Sequence, residues 1–404
     1  MAFFRHLTKK QKQFFSTTIL VGVFWGAFFF YSQLFDSYGL RAPYPLEDSA
    51  SYLHAQMHTC FGTKEYQQNI WRSDCYQALG KLVMAHFEIR DSLKGLAEIQ
   101  TEPKIRPWCH AFGHVLGQQE FKKTGSIAET FLACSSQIAC GEGCFHGAVE
   151  GYLQSHGGGV TKEVIRSACD KKTIANTVTF AACIHGLGHA AMLEEGENIQ
   201  KALPLCEYLP SDNDRHICYS GVFMEDTLMF GGSNTTSTVQ PSDPEYPCNE
   251  LNPKYKDECY AAHSTFVLQQ SRSDYTTAGK FCDHIPDAYR PSCYGSFGGQ
   301  AVLASDSPSY EASVCAGVAR TEDRNACLVQ AMIFKGYSTA GKLSGYRELC
   351  EAVASASPQD INACWSFAGD DIERWYPTKR AESCSEITPA NSDAYLYCAG
   401  VRKP

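Results

Sequence analysis

Two stretches of the 404-residue chain nearly repeat each other: CHAFGHVLG, from Cys109 to Gly117, and CIHGLGHAA, from Cys183 to Ala191. Each sets two histidines four residues apart, His110 with His114 and His185 with His189. Between them CFHGAVEGY carries His146 and, where the second histidine would stand, Glu150. On a helix, side chains at i and i+4 lie one above the other, so such a pair can grip a single metal ion. Neutral imidazole suits zinc, copper, iron and nickel, and an added carboxylate favours zinc, iron or manganese over copper(I), which calls for sulfur ligands. Six such side chains suffice for two ions with three ligands each, leaving positions open to water or substrate, an arrangement of catalytic type. The expected cofactor is therefore a transition-metal ion, zinc or iron, with Glu150 as ligand or catalytic base. The competing reading is packing alone: histidines beside glycines where helices approach closely, hydrogen-bonded to backbone carbonyls.

The elements that carry these residues are set by a period. Cys75, Cys109, Cys144, Cys183, Cys218, Cys259, Cys293, Cys327, Cys364 and Cys398 recur every 34 to 41 residues. A second set, Cys60, Cys134, Cys169, Cys206, Cys248, Cys282, Cys315, Cys350 and Cys384, precedes nine of these rungs by 10 to 15 residues. After each rung comes an amphipathic stretch such as CYSGVFMEDTLMF or CLVQAMIFKGY, which predicts a helix, here called helix A. A turn then leads to a second helical stretch ending at the other cysteine, as in TTAGKFC or SGYRELC, called helix B. The expected fold is all-α: about ten helix pairs, each clipped to the next by a disulfide. A loop of about 12 residues closed in this way contributes roughly 3 kcal/mol in the chain-entropy account.

One repeat is irregular, and it fixes the histidine register. The stretch DSLKGLAEIQTEP lacks a cysteine, while Cys140 is surplus, so Cys109 is predicted to pair with Cys140 and Cys134 with Cys144. Aligning WCHAFGH on CIHGLGH then makes His110, His146 and His185 equivalent, and likewise His114, Glu150 and His189. Other repeats place Gln77 and Lys81, Ser220 and Met224, or Ala261 and Thr265 there, so the cluster belongs to three adjacent repeats.

Helix pairs of about 34 residues, with the Leu79-Gly80 pair in CYQALGKLVMAHF, resemble the tetratricopeptide superfamily of α-helical repeats. The resemblance covers residues 60 to 404 and implies an α-solenoid whose A helices line one face. Such a concave face implies a protein partner, and an interaction scaffold without metal is the principal rival function.

The chain also carries an uncharged apolar run, FFSTTILVGVFWGAFFFYSQLF, from Phe14 to Phe35, preceded by Arg5, Lys9, Lys10 and Lys12. About 20 apolar residues span a bilayer, and basic flanks stay cytoplasmic, so one transmembrane helix with a cytoplasmic N-terminus is expected. A cleaved signal peptide, the alternative, has an apolar region of only about 7 to 15 residues. The bulk of the chain is then periplasmic, extracellular or lumenal, in keeping with an even count of 20 cysteines. Without the four N-terminal basic residues it holds 31 basic against 44 acidic side chains, which argues against nucleic acid as a partner. The expected organisation is residues 1–36 tail and anchor, 37–230 helical repeats with the histidine cluster, 231–247 loop, and 248–404 further repeats.

Other chemistries find no motif: there is no phosphate-binding loop, nucleophile elbow or dinucleotide fingerprint. CGEGCFH has three residues between its cysteines and Phe145 before the histidine, which excludes c-type haem attachment and leaves non-covalent bis-histidine haem as the porphyrin alternative. His263 and His284 read as surface or capping residues, Tyr76, Tyr219, Tyr260 and Tyr294 as packing between repeats, and Glu194, Glu195 and Glu197 as a solvated helix end or a support for the metal ligands.

Overall fold

The computed structural model describes residues 38–62, 74–137, 139–157, 160–174, 176–228, 238–240 and 242–404. Among these residues there are nineteen α-helices and no strand. They are α1 Ser49–Phe61, α2 Asp74–His86, α3 Ile89–Ile99, α4 Arg106–Thr124, α5 Ile127–Cys134, α6 Gly143–Ser155, α7 Lys162–Ala168, α8 Thr177–Glu194, α9 Ile199–Cys206 and α10 Asp212–Leu228. These are followed by α11 Pro253–Gln270, α12 Tyr275–His284, α13 Arg290–Ala304, α14 Pro308–Ala316, α15 Thr321–Thr339, α16 Leu343–Ala356, α17 Ile361–Trp375, α18 Arg380–Ile387 and α19 Asp393–Cys398. The apolar run Phe14–Phe35 lies outside the described residues, among which no helix is long and apolar enough to cross a membrane.

Polar side chains at the loop ends start many of these helices. Ser126, Thr161, Asn176, Asn198 and Ser307 each accept a hydrogen bond from the backbone N–H three residues on, satisfying one of the amides that a helix N-terminus leaves free. The helices then pack in two rows. In the first, α2, α4, α6, α8, α10, α11, α13, α15, α17 and α19 each pack on the next. In the second, α3 touches α1 and α5, α7 touches α9, and α16 touches α14 and α18. These rows are helices A and B of the repeat. Tyr76, Tyr219, Tyr260 and Tyr294 are buried as expected, but His263 is not a surface residue: it is fully buried in α11, with Nδ1 3.0 Å from the Pro244 carbonyl.

All twenty cysteines are paired, in the ten pairs that the ladder predicts. Cα separations of 5.3 to 5.8 Å lie in the ordinary disulfide range. Nine bonds tie the end of one repeat to the next helix of the first row. The tenth, Cys109–Cys140, joins α4 to the loop before α6 and closes a span of 31 residues.

The first row also meets itself at a distance in sequence. Arg106, opening α4, donates to the Ala304 carbonyl at 3.2 Å and to Asp306 at 3.0 Å, and α17 packs against α8. Side chains of the late repeats thereby reach the neighbourhood of the histidines.

Candidate metal centre

The histidine-bearing helices come together because small residues face one another. A Cβ on Gly147 of α6 would collide with the backbone carbonyl of His114 in α4, and one on Gly188 of α8 would collide with the carbonyl of Cys218 in α10. Glycine at these positions lets the backbones approach until the side chains beside them share one narrow gap. The five histidines meet there. Ring centres are 4.9 Å apart for His110 and His114 and 4.9 Å for His185 and His189. His146 lies between the pairs, 5.2 Å from His110, 5.2 Å from His114, 5.0 Å from His185 and 5.1 Å from His189.

Hydrogen bonds at Nδ1 set the tautomers. His110 Nδ1 lies 2.9 Å from the Cys140 carbonyl, which can only accept, so this nitrogen carries the proton. His114 Nδ1 donates to Glu150 Oε1 at 2.8 Å, and His189 Nδ1 donates to Glu225 Oε2 at 2.8 Å. His185 Nδ1 lies 2.9 Å from Ser220 Oγ, whose own hydroxyl is given to the Ile217 carbonyl at 2.7 Å, so the histidine is again the donor. In the neutral rings each Nε2 is then a lone pair. His110 Nε2 faces His114 Nε2 at 3.2 Å, and His185 Nε2 faces His189 Nε2 at the same 3.2 Å.

Two facing lone pairs repel unless a cation lies between them. Nitrogens bound to one ion at about 2.1 Å, in tetrahedral or octahedral geometry, are about 3.0 to 3.4 Å apart, and 3.2 Å falls inside that interval. Electrostatics keeps the rings of His110, His146 and His185 in the ligating form. Burial, reinforced by the neighbouring His114, pushes His110 down to about 3, and burial with the surrounding histidines holds His146 and His185 well below the usual imidazole range. The ligand atoms fall into two groups that could each hold an ion, His110 with His114 and His146, and His146 with His185 and His189.

Glu150 joins this arrangement from behind. It accepts from His114 Nδ1 and from Gln118 Nε2, on the far side of the ring from the Nε2 lone pair. Burial pushes its carboxyl up, but the His114 ring outweighs that and the net shift is downward, which keeps it an acceptor. It therefore orients His114 in the manner of the carboxylates that hold metal-ligating histidines. Glu225, with Ser220, plays the same part for α8, and the repeat register does not point to it.

A further carboxyl, Glu142, is equally invisible to the motif. Its Oε2 is 3.9 Å from His146 Nε2, and burial, opposed by Arg374 of α17, raises it to about 8. Arg374 itself is held by Asp371 at 2.8 Å and by the Tyr337 hydroxyl at 3.1 Å. A cleft of about 220 Å³, lined by Gln77, Gln118, Lys122 and Gln154, reaches His114 and Glu150. In the other pair His189 and its partner Glu225 have no exposed surface, while His185 is part-exposed.

Two other groupings have metal-ligand residue types. Cys248 and Cys259 near His263 are joined to each other, which removes their thiolates. His54 and His58, one turn apart on α1, both contact Glu102, at 2.8 and 2.7 Å, on a more exposed surface. The same four-residue spacing in YLHAQMH is the signal that could have found them.

No protein-family model matches the chain, and neither a curated protein sequence nor a solved structure is similar to it.

Proposed function

We propose that this chain is a metal-binding protein of an oxidising, extracytoplasmic compartment, held to the membrane by the Phe14–Phe35 segment, in which His110, His114, His146, His185 and His189 hold one or two transition-metal ions. The observation that carries this reading is the pairing of Nε2 lone pairs at 3.2 Å, each backed by an acceptor at Nδ1. Packing alone would leave these nitrogens facing each other without a donor. The all-nitrogen set suits zinc or iron, and equally copper(II) or nickel.

The row of A helices, each packed on the next and returning from α17 to α8, supports a curved, tetratricopeptide-like superhelix. The cleft at His114 supports a reactive centre, since an ion held by His110 and His114 would keep positions open to water and to a substrate entering there. With zinc the chemistry supplied is activation of water for hydrolysis, and with iron it is oxidation. Glu150 acts in either case through His114, as a positioning residue.

X-ray absorption on the zinc-loaded full chain tests the ligand set. The expected result is a nitrogen shell at about 2.0 to 2.1 Å with imidazole outer-shell scattering. A sulfur shell, or oxygen ligands alone, would overturn the assignment.

A further inference from the structure

The five histidines are not alike. Four of them have one nitrogen committed: His110 to the Cys140 carbonyl, His114 to Glu150, His185 to Ser220 and His189 to Glu225. His146 has neither. Both of its ring nitrogens are buried without a hydrogen-bond partner, and the nearest carboxylate oxygen, that of Glu142, is 3.9 Å away. A terminal histidine ligand uses one nitrogen for the ion and gives the other N–H to an acceptor. Among the described residues nothing accepts from His146, so a terminal role leaves a buried donor stranded.

Its position resolves the anomaly. His146 belongs to both three-histidine groups, and its ring centre is 5.0 to 5.2 Å from all four other rings. Two imidazoles on one ion at ordinary bond lengths and angles have centres about 4.6 to 5.3 Å apart. The flanking pairs repeat each other down to their carboxylates, which stand 36 residues after His114 and 36 after His189. Each pair, taken with His146, makes one of the two groups that could hold an ion.

We infer that His146 bridges two metal ions, one through Nδ1 and one through Nε2, with His110 and His114 on the first ion and His185 and His189 on the second. This rests on the metal-binding reading above. Bridging uses both lone pairs of the ring, so the N–H proton of neutral His146 leaves to solvent as the second ion binds. No electron transfer is involved.

The probe is copper(II) added to the metal-free full chain, read by bound copper per chain and by electron paramagnetic resonance. The bridge predicts two coppers per chain, a diminished monomeric signal and a half-field transition from exchange coupling through the imidazolate. His146→Ala is expected to restore two uncoupled monomeric signals, with folding checked by circular dichroism. One copper per chain, two uncoupled coppers in the unaltered protein, or coupling that survives in His146→Ala overturns the bridge and leaves metal binding standing. No copper at all overturns both.

Discussion

His189 donates from Nδ1 to Glu225 at 2.8 Å across 36 residues, and His114 donates to Glu150 at the same distance across the same interval. The repeat has thus built one device twice, an imidazole held from behind by the carboxylate of the next helix. Removing such a support typically weakens metal binding about 10- to 100-fold. Glu150→Gln and Glu225→Gln are both expected to do so in a competition titration against a chelator, while Glu195→Gln leaves affinity unchanged. Equal affinity in all three would mean that the carboxylates do not orient ligands.

Gly147 tests the close approach of α4 and α6. Alanine there sets a methyl group against the His114 carbonyl, so the helices must separate. Overpacking of this kind costs about 1 to 3 kcal/mol, and it also displaces His114 from His146. Gly147→Ala is expected to lower the unfolding midpoint and the bound metal together. A variant with full metal content would show that the gap tolerates widening.

Acid should destabilise the metal-free protein. His110, His146 and His185 have folded-state values below the ordinary 6.5, so between those values and 6.5 the unfolded chain binds more protons than the folded one. Their contribution is complete above about 6.5 and is lost as pH falls toward the folded values. Glu142 runs the other way: raised from 4.5 to about 8, it favours the folded state at low pH and loses that contribution as pH rises from 4.5 to 8. Thermal melts of the chelator-treated chain from pH 7 down to 4 should show a falling midpoint, steeper in Glu142→Gln. A midpoint that rises on acidification would contradict the neutral, buried histidines.

The Cys109–Cys140 bond holds the loop whose carbonyl receives His110. Replacing both cysteines by alanine is expected to cost about 2 to 5 kcal/mol, as for any such bond, and to weaken metal binding as well. Removing Cys384–Cys398, at the far end of the chain, should lower stability while leaving affinity alone. Equal effects on affinity would make the odd disulfide a staple only.

Much of this architecture is legible in the sequence because a repeat array is nearly one-dimensional. The cysteine period fixes which helix adjoins which, and the histidine register explains why Cys109 pairs with Cys140. The i, i+4 rule places His110 with His114 and His185 with His189. Counting residues fails where a helix turns between them: the register points to Met224, but the carboxylate that reaches His189 is one residue on, at Glu225. Arg374 and Glu142 escape the sequence for another reason. Their approach depends on the packing of α17 against α8, two helices far apart in sequence, and no local pattern encodes that contact. His263 reads as a surface or capping residue for the same lack of tertiary information, since the Pro244 carbonyl that meets it belongs to an irregular segment.

Elemental analysis of the purified full chain, beside the quadruple variant His110→Ala, His114→Ala, His185→Ala, His189→Ala, tests the central claim most directly. The histidine cluster predicts stoichiometric transition metal in the first and its loss in the second, with the disulfide-clipped helices still folded. A folded, unaltered protein without stoichiometric metal, even after incubation with zinc or iron, would contradict it and leave an interaction scaffold.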